Sequence, residues 1–411
     1  MNINTLCESR IFKSLYGADT DAAKERFSRA LSALGRTEAE FFSVPGRTEI
    51  IGNHTDHNHG AVMAASVGLD IISAAYKTDD GIIRIESEGF GTDEVDISDL
   101  SARENEKFTS AAIIRGVAAA MSERGGAVGG FTAYVTSDVP GGSGLSSSAA
   151  YENMIGTMLN YFYNENKFSP VDIACISQRA ENRHFGKPCG LMDQIACSVG
   201  GLVYIDFRNP SAPEVRRTEL SLDGYCLCII RTGGSHADLN DDYASVPAEM
   251  KAVASYFGKE VLRDISEKEL IAAIPALREK YGDRAILRAL HFMSENVRVA
   301  KAMEAAAKKD TDGFFAMINA SGISSAVALQ NYFTCKAPAE QGITLAVTLA
   351  REILAGKGAA RVHGGGFAGT AQAYVPEDIY DEFTSVMENA FGKGAVVSLG
   401  IRNEGACHID R

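Results

Sequence analysis

The sequence predicts a chain of mixed helices and strands large enough for two or three domains, and three observations carry that reading. Its 411 residues exceed what one hydrophobic core usually serves. Apolar residues make up 45% and charged residues 23%, enough for a sizeable interior. Short β-branched and aromatic runs alternate with longer segments of helical spacing, most sharply in the strand, loop and helix passage from Gly130 to Ile155.

In that passage Gly130-Phe131-Thr132-Ala133-Tyr134-Val135-Thr136 reads as a strand and Ala149 to Ile155 as helix. Between them lies Asp138-Val139-Pro140-Gly141-Gly142-Ser143-Gly144-Leu145-Ser146-Ser147-Ser148. Glycines admit positive φ and leave no Cβ in the way of a bulky anion. The serines fall where a helix exposes unpaired N–H groups and the positive end of its dipole, which suits a phosphate. No lysine occurs between Asp138 and Tyr151, so this is not the Walker loop. A tight turn with a serine N-cap satisfies the same residues, and both readings stand on this segment alone.

Net charge is −13, which disfavours nonspecific binding to nucleic acid or to an anionic membrane. The first residues lack a charged region followed by an apolar run, and no apolar window of membrane-spanning length occurs. A cytoplasmic protein is expected. The eight cysteines show no Cys-x-x-Cys pair, which suggests neither zinc nor a disulfide framework.

Along the chain, Asp21 to Leu34 reads as a helix stopped by Gly35, and Phe41 to Val44 as a short strand running into Pro45-Gly46. Ile71 to Tyr76 and Ile82 to Ile85 flank Asp79-Asp80-Gly81 as a hairpin. Helices are expected from Ser110 to Met121, from the serine loop to Tyr163, and from Pro170 to Asn182. Gly201 to Phe207 is a strand, and Asn209-Pro210-Ser211-Ala212-Pro213 is the candidate interdomain connection. Beyond it come a strand at Tyr225 to Ile230 and helices at Val246 to Phe257, Ala285 to Ala307, Gly313 to Gln330 and Ile343 to Ala355. Strands at Thr370 to Val375 and Ala395 to Leu399 enclose a helix at Phe383 to Phe391.

Two further stretches gather chemistry. Gly46-Arg47-Thr48-Glu49-Ile50-Ile51-Gly52-Asn53-His54-Thr55-Asp56-His57-Asn58-His59-Gly60 packs polar groups between apolar runs, which suits a small polar ligand better than a metal. Pro188-Cys189-Gly190-Leu191-Met192-Asp193-Gln194 sets a lone aspartate before an apolar run, as an inward carboxylate or as an N-cap.

These stretches, with Gly364-Gly365-Gly366-Phe367 late in the chain, resemble in content and order the GHMP small-molecule kinases, and the first resembles the galactokinase signature. The resemblance implies an α+β fold of two domains: a ribosomal S5 domain 2-like one at 1–208 and a ferredoxin-like one at 209–411, the final strand free to return to the first. The active site would lie between them. It implies ATP-dependent phosphorylation of the anomeric hydroxyl of α-D-galactose, with Asp193 as base and Arg47 beside it, pairing with the carboxylate and stabilising the transferred charge. Asn53, His54, Asp56, Gly190 and Tyr243 would shape the sugar site. Gly141, Gly142, Ser143, Gly144, Leu145, Ser146, Ser147, Ser148 and Ala149 would bind ATP, and Ser148 with Glu181 would hold Mg²⁺.

The chain departs from the family pattern at Asn53, where a glutamate that bonds the sugar C6 hydroxyl is usual, and at His57, His59, His363 and Ala368. Galactose remains the expected substrate. Galacturonate or L-arabinose, altered at C6, is the alternative, and a sugar sensor without catalysis is the reading from another class.

Overall fold

Runs of β-branched, aromatic and small apolar residues build the sheets that carry the loops described above. The computed structural model describes residues 1–17, 20–141, 144–234 and 239–410. Its strands, in chain order, are β1 (Glu40–Ile51), β2 (Ala61–Lys77), β3 (Ile82–Ser87), β4 (Gly91–Asp96), β5 (Phe131–Ser137), β6 (Leu202–Asp206), β7 (Glu214–Thr218), β8 (Tyr225–Gly233), β9 (Ala359–His363), β10 (Gly369–Pro376), β11 (Val396–Leu399) and β12 (Cys407–Ile409). The chain divides into two units, one of residues 1–47, 65–201 and 401–411, the other of 48–64 and 202–400. It is a mixed α and β fold throughout.

In the first unit the strands lie in the order β12-β1-β2-β5-β3-β4. The hairpin expected around Asp79-Asp80-Gly81 does not form, because β5 lies between its two arms. β2 pairs with β5 antiparallel, Ile71 opposite Ser137, while β3 pairs with β5 in parallel, Ile83 opposite Phe131. Phe131, Ala133 and Val135 are buried, so β5 carries the apolar load of a central strand. The Thr78–Gly81 link reaches roughly 13 Å when extended, enough to cross two strand spacings of about 4.8 Å. Thr78 N–H donates to Gly130 O at 2.9 Å as the link passes the start of β5. The turn signal was real, and the hairpin of β3 is made instead with β4.

β1 runs straight through Pro45-Gly46 to Ile51 and so carries Arg47 inside a strand, not in a loop. The helix Thr20–Ala33 packs Phe27, Ala30 and Leu31 on the sheet together with Leu6 and Phe12 from the N-terminal helices. Beneath them Asp70, 1% exposed, is gripped by Arg26 (2.8 Å) and Arg402 (3.0 Å). Burial alone would raise its pKa, but Arg402 and Arg26 outweigh that and hold it below the ordinary carboxylate value. Asp138, where the glycine loop begins, donates its N–H to Asp70 O at 2.9 Å and pairs with Arg26 at 2.7 Å, so this cluster anchors the loop.

In the second unit β6 and β7 form a hairpin, Leu202 opposite Thr218, which makes Asn209–Pro213 its connecting loop and not a domain linker. The antiparallel sheet β11-β8-β10-β9 packs one face on the helices Gly342–Leu354 and Tyr380–Phe391 through Ile230, Ala373, Val347 and Phe383. A second core joins the helices Asn240–Tyr256 and Ile274–Ala307. The latter breaks at Gly282, which is why its apolar periodicity becomes regular only from Ala285. Among the described residues no helix is long and apolar enough to cross a membrane.

Candidate active site

The glycine loop delivers β5 to the helix Ser147–Asn164 through two left-handed residues, Gly144 (φ 75°) and Ser146 (φ 58°). Gly142 and Ser143 lie outside the described residues. Ser146 holds the N-cap position, yet its hydroxyl does not cap the helix; it donates to Asp193 Oδ2. The simple N-cap reading of the serines therefore fails, and the first N–H groups of this helix keep no side-chain cap from Ser146. A helix start that Ser146 leaves without its side-chain cap, with Ser148 exposed on its first turn, has the N–H groups and dipole end that suit an anion.

Asp193 belongs to the first turn of the helix Met192–Val199, where Leu191 holds the cap position, so it is not an N-cap either. Arg47 meets it edge-on, Nε donating to Oδ1 at 2.8 Å and Nη2 to Oδ2 at 2.6 Å. Arg47 Nη1 donates to Gly144 O, and its backbone N–H to Leu145 O at 3.0 Å. One buried guanidinium thus ties β1, the glycine loop and the aspartate together. The Asp193 side chain keeps 33% of its surface exposed, which leaves it open to a reactant.

A cavity of about 640 Å³ opens beside this loop, within the range of small-molecule sites. Ile71, Phe90, Ile113, Val135 and Val139 give it an apolar wall, and Gly141, Ser147, Ser148, Glu152 and Glu181 a polar one. Phe90 is 94% exposed and stands between Gly89 and Gly91 at the β3–β4 turn. An apolar slot next to a helix start has the two halves that a nucleotide needs, one for a base and one for phosphates.

Sequence reasoning missed Glu152 and Gln194 here. Glu152 is fully buried, and burial, then the charge of Glu181, pushes its carboxyl well above the ordinary value. Gln194 Nε2 donates to Glu152 at 3.1 Å and to Glu181 at 3.0 Å. Glu152 Oε1 has no hydrogen-bond partner among the described residues. The signal for Glu152 was its place four residues after Ser148, on the same helix face. The donors along this wall, the Ser148 hydroxyl and buried carboxylates with one orphaned oxygen, are hard oxygens that fit Mg²⁺. Among the described residues no group of three or more His, Cys, Asp or Glu surrounds a common point.

The second unit assembles the polar stretch differently from the sequence expectation. Asn53 is 1% exposed and turned into the protein. Its Nδ2 donates to Gly364 O at 2.7 Å and Glu49 Oε1 at 3.2 Å, and its Oδ1 accepts from Asn331 Nδ2 at 2.6 Å. Glu49 is in turn paired with fully buried Arg361 at 2.8 Å. His54 donates Nε2–H to Gly365 O at 2.9 Å, and its Nδ1 has no partner among the described residues. Burial and then His57 push its pKa down to about 4, so the ring is neutral at pH 7 with Nδ1 as an acceptor. His57 lies 3.6 Å from Asp56. Tyr243 donates to Gly366 O at 2.9 Å and sets its ring edge-on to Phe367. Gly190 is exposed in the first unit just ahead of the Asp193 helix.

Two family descriptions match this chain, GHMP kinases N terminal domain over residues 112–201 and galactokinase galactose-binding signature over residues 26–77. A galactokinase of Streptomyces coelicolor is 30% identical over 385 residues, 92% of this chain and 91% of that one. The chain belongs to the galactokinase family. Another galactokinase, from Glaesserella parasuis, is 33% identical over 88% of this chain and 91% of its own. In fold, the galactokinase-family chain is similar to Lactococcus lactis galactokinase complexed with galactose, with a TM-score of 0.79, 24% identity and coverage of 94% and 98% of the two chains. It is also similar to Methanococcus jannaschii mevalonate kinase, with a TM-score of 0.61, 13% identity and coverage of 89% and 99%. The galactokinase-family sheets and helices are thus those of a GHMP kinase.

Proposed function

We propose that this protein is an ATP-dependent sugar 1-kinase that converts α-D-galactose to galactose 1-phosphate in the cytoplasm. The observation that carries this reading is the Arg47–Asp193 pair beside Ser146, at the head of a helix that the Ser146 hydroxyl does not cap. In this reading Asp193 accepts the C1 hydroxyl proton as that oxygen attacks the γ-phosphorus, and the bond to the β,γ-bridging oxygen breaks to release ADP. Arg47 keeps the carboxylate oriented and stabilises negative charge on the phosphoryl group in flight. The apolar wall with Phe90 takes the base, and the loop from Gly141 to Ala149 takes the phosphates.

Ser148 and Glu181 would hold Mg²⁺, which when bound neutralises charge on the β- and γ-phosphates. In the second unit, His54 Nδ1, Asp56 and Tyr243 hold sugar hydroxyls, and in the first Gly190 borders the reacting carboxylate. With both ends of the Asn53 amide engaged by Gly364, Glu49 and Asn331, position 53 gives no reason to prefer a sugar altered at C6. Galactose is therefore the substrate we favour.

The test is ADP release with galactose, galacturonate, L-arabinose, N-acetylgalactosamine and mevalonate as acceptors. Turnover with galactose above the others is expected. No turnover with any acceptor would leave a sugar-binding sensor in place of an enzyme.

A further inference from the structure

Gln194, Glu152 and Glu181 form a buried cluster whose hydrogen bonding is incomplete among the described residues. Gln194 follows Asp193 directly in the helix Met192–Val199 and is 1% exposed. Its single Nε2 supplies one hydrogen to each of two buried carboxylates, Glu152 Oε2 at 3.1 Å and Glu181 Oε2 at 3.0 Å. Those carboxylates are 0% and 3% exposed. Glu152 is the less satisfied of the two: its Oε2 meets this amide and its Oε1 has no partner among the described residues, whereas Glu181 also meets the Cys189 thiol.

The remaining oxygens differ in their surroundings. Glu181 Oε1 lies 3.5 Å from the exposed Lys187 ammonium. Glu152 Oε1 is buried with no partner among the described residues, and Glu152 belongs to the same cavity wall as Ser148 and Glu181. An orphaned carboxylate oxygen on the wall that would carry a cation is a place for a water of that cation's shell.

We propose that Gln194 and Glu152 are positioning residues for the divalent cation that accompanies the nucleotide. Gln194 fixes the carboxylate of Glu181, and Glu152 offers its free oxygen to a cation-bound water. The inference rests on the metal reading of Ser148 and Glu181 above. It also gives adjacent residues of one helix turn two tasks, Asp193 toward the acceptor and Gln194 toward the cation.

The test follows Mn²⁺ by electron paramagnetic resonance in the complex of the whole protein with a non-hydrolysable ATP analogue. Glu152→Gln, nearly isosteric, and Gln194→Leu are each expected to weaken Mn²⁺ binding about 10- to 100-fold, as loss of an outer-shell partner does. Metal-free nucleotide binding and thermal midpoint, measured alongside, are expected to stay close to wild type in Glu152→Gln. Unchanged Mn²⁺ affinity in both variants, with weakening in Glu181→Gln, would overturn the positioning roles and leave the metal reading standing. Unchanged affinity in all three variants would overturn both.

Discussion

Arg47 holds Asp193 through two parallel bonds, Nε to Oδ1 at 2.8 Å and Nη2 to Oδ2 at 2.6 Å, while Ser146 donates to the second oxygen. A carboxylate fixed this way has a set direction for accepting a proton, and a general base of this kind contributes about 10²- to 10⁴-fold to rate. Asp193→Asn is therefore expected to lower kcat by that factor with little change in KM for sugar or ATP. Arg47→Lys replaces the planar fork by a point charge and should also lower kcat. Steady-state kinetics on both variants checks this, and an Asp193→Asn enzyme at near-normal rate would remove Asp193 from the proposed role.

The cavity beside the glycine loop gives a second expectation. The chain contains no tryptophan, so Phe90→Trp introduces a single indole at a position 94% exposed on the cavity rim. If the apolar wall takes the base, binding of a non-hydrolysable ATP analogue should shift and quench that fluorescence, with galactose alone leaving it unchanged. Aromatic stacking has an energy of about 0.5–1.5 kcal/mol beyond area burial, so Phe90→Ala should raise the ATP KM several-fold. A fluorescence signal blind to nucleotide would move the base elsewhere.

Much of this could be read from the chain because the informative residues are local. The glycine–serine loop, Asp193 and the polar stretch are contiguous motifs, and the long helices from Ser147 and Ala285 announce themselves by period. What escaped was set by distant pairing. No local pattern says that β5, more than forty residues downstream of β3, will enter between β2 and β3, or that Pro45-Gly46 will sit inside a strand. The inward turn of Asn53 depends on Gly364 and Asn331, some three hundred residues away, and Gln194 gains meaning only once Glu152 and Glu181 flank it.

Asn53→Glu is expected to act on stability and not on sugar choice. The amide donates to Gly364 O and Glu49 and accepts from Asn331. A carboxylate cannot donate, and it would stand beside the buried Glu49. Leaving such groups unsatisfied costs about 1–3 kcal/mol, which thermal denaturation should register. An undisturbed melting midpoint together with sharpened preference for galactose over arabinose would place the position-53 side chain on the sugar.

Gly366 marks the tightest point of the third loop. Its φ is +83°, and a Cβ there would lie 2.1 Å from Asn331 O, a backbone atom that cannot swing aside. Gly366→Ala should destabilise by at least about 1–3 kcal/mol and displace Asn331, which holds Asn53. Urea denaturation midpoints measure the cost. A variant as stable as wild type would mean that the loop has another conformation within easy reach.

His54 makes the stability of the second unit depend on pH in a known direction. Its ordinary value of 6.5 is pushed down to about 4, first by burial and then by His57. Below pH 6.5 the unfolded chain therefore takes up a proton that the folded chain refuses, so this contribution is intact above 6.5 and is lost as pH falls toward 4. Buried His291, also shifted down by burial, acts in the same sense, whereas Glu152, shifted up by burial, acts in the opposite one. The readout is accordingly the difference between wild type and His54→Gln in urea midpoints at pH 7.5, 6 and 5. The variant should lose less stability than wild type across that range, and parallel loss in the two proteins would mean that His54 titrates alike in folded and unfolded chains.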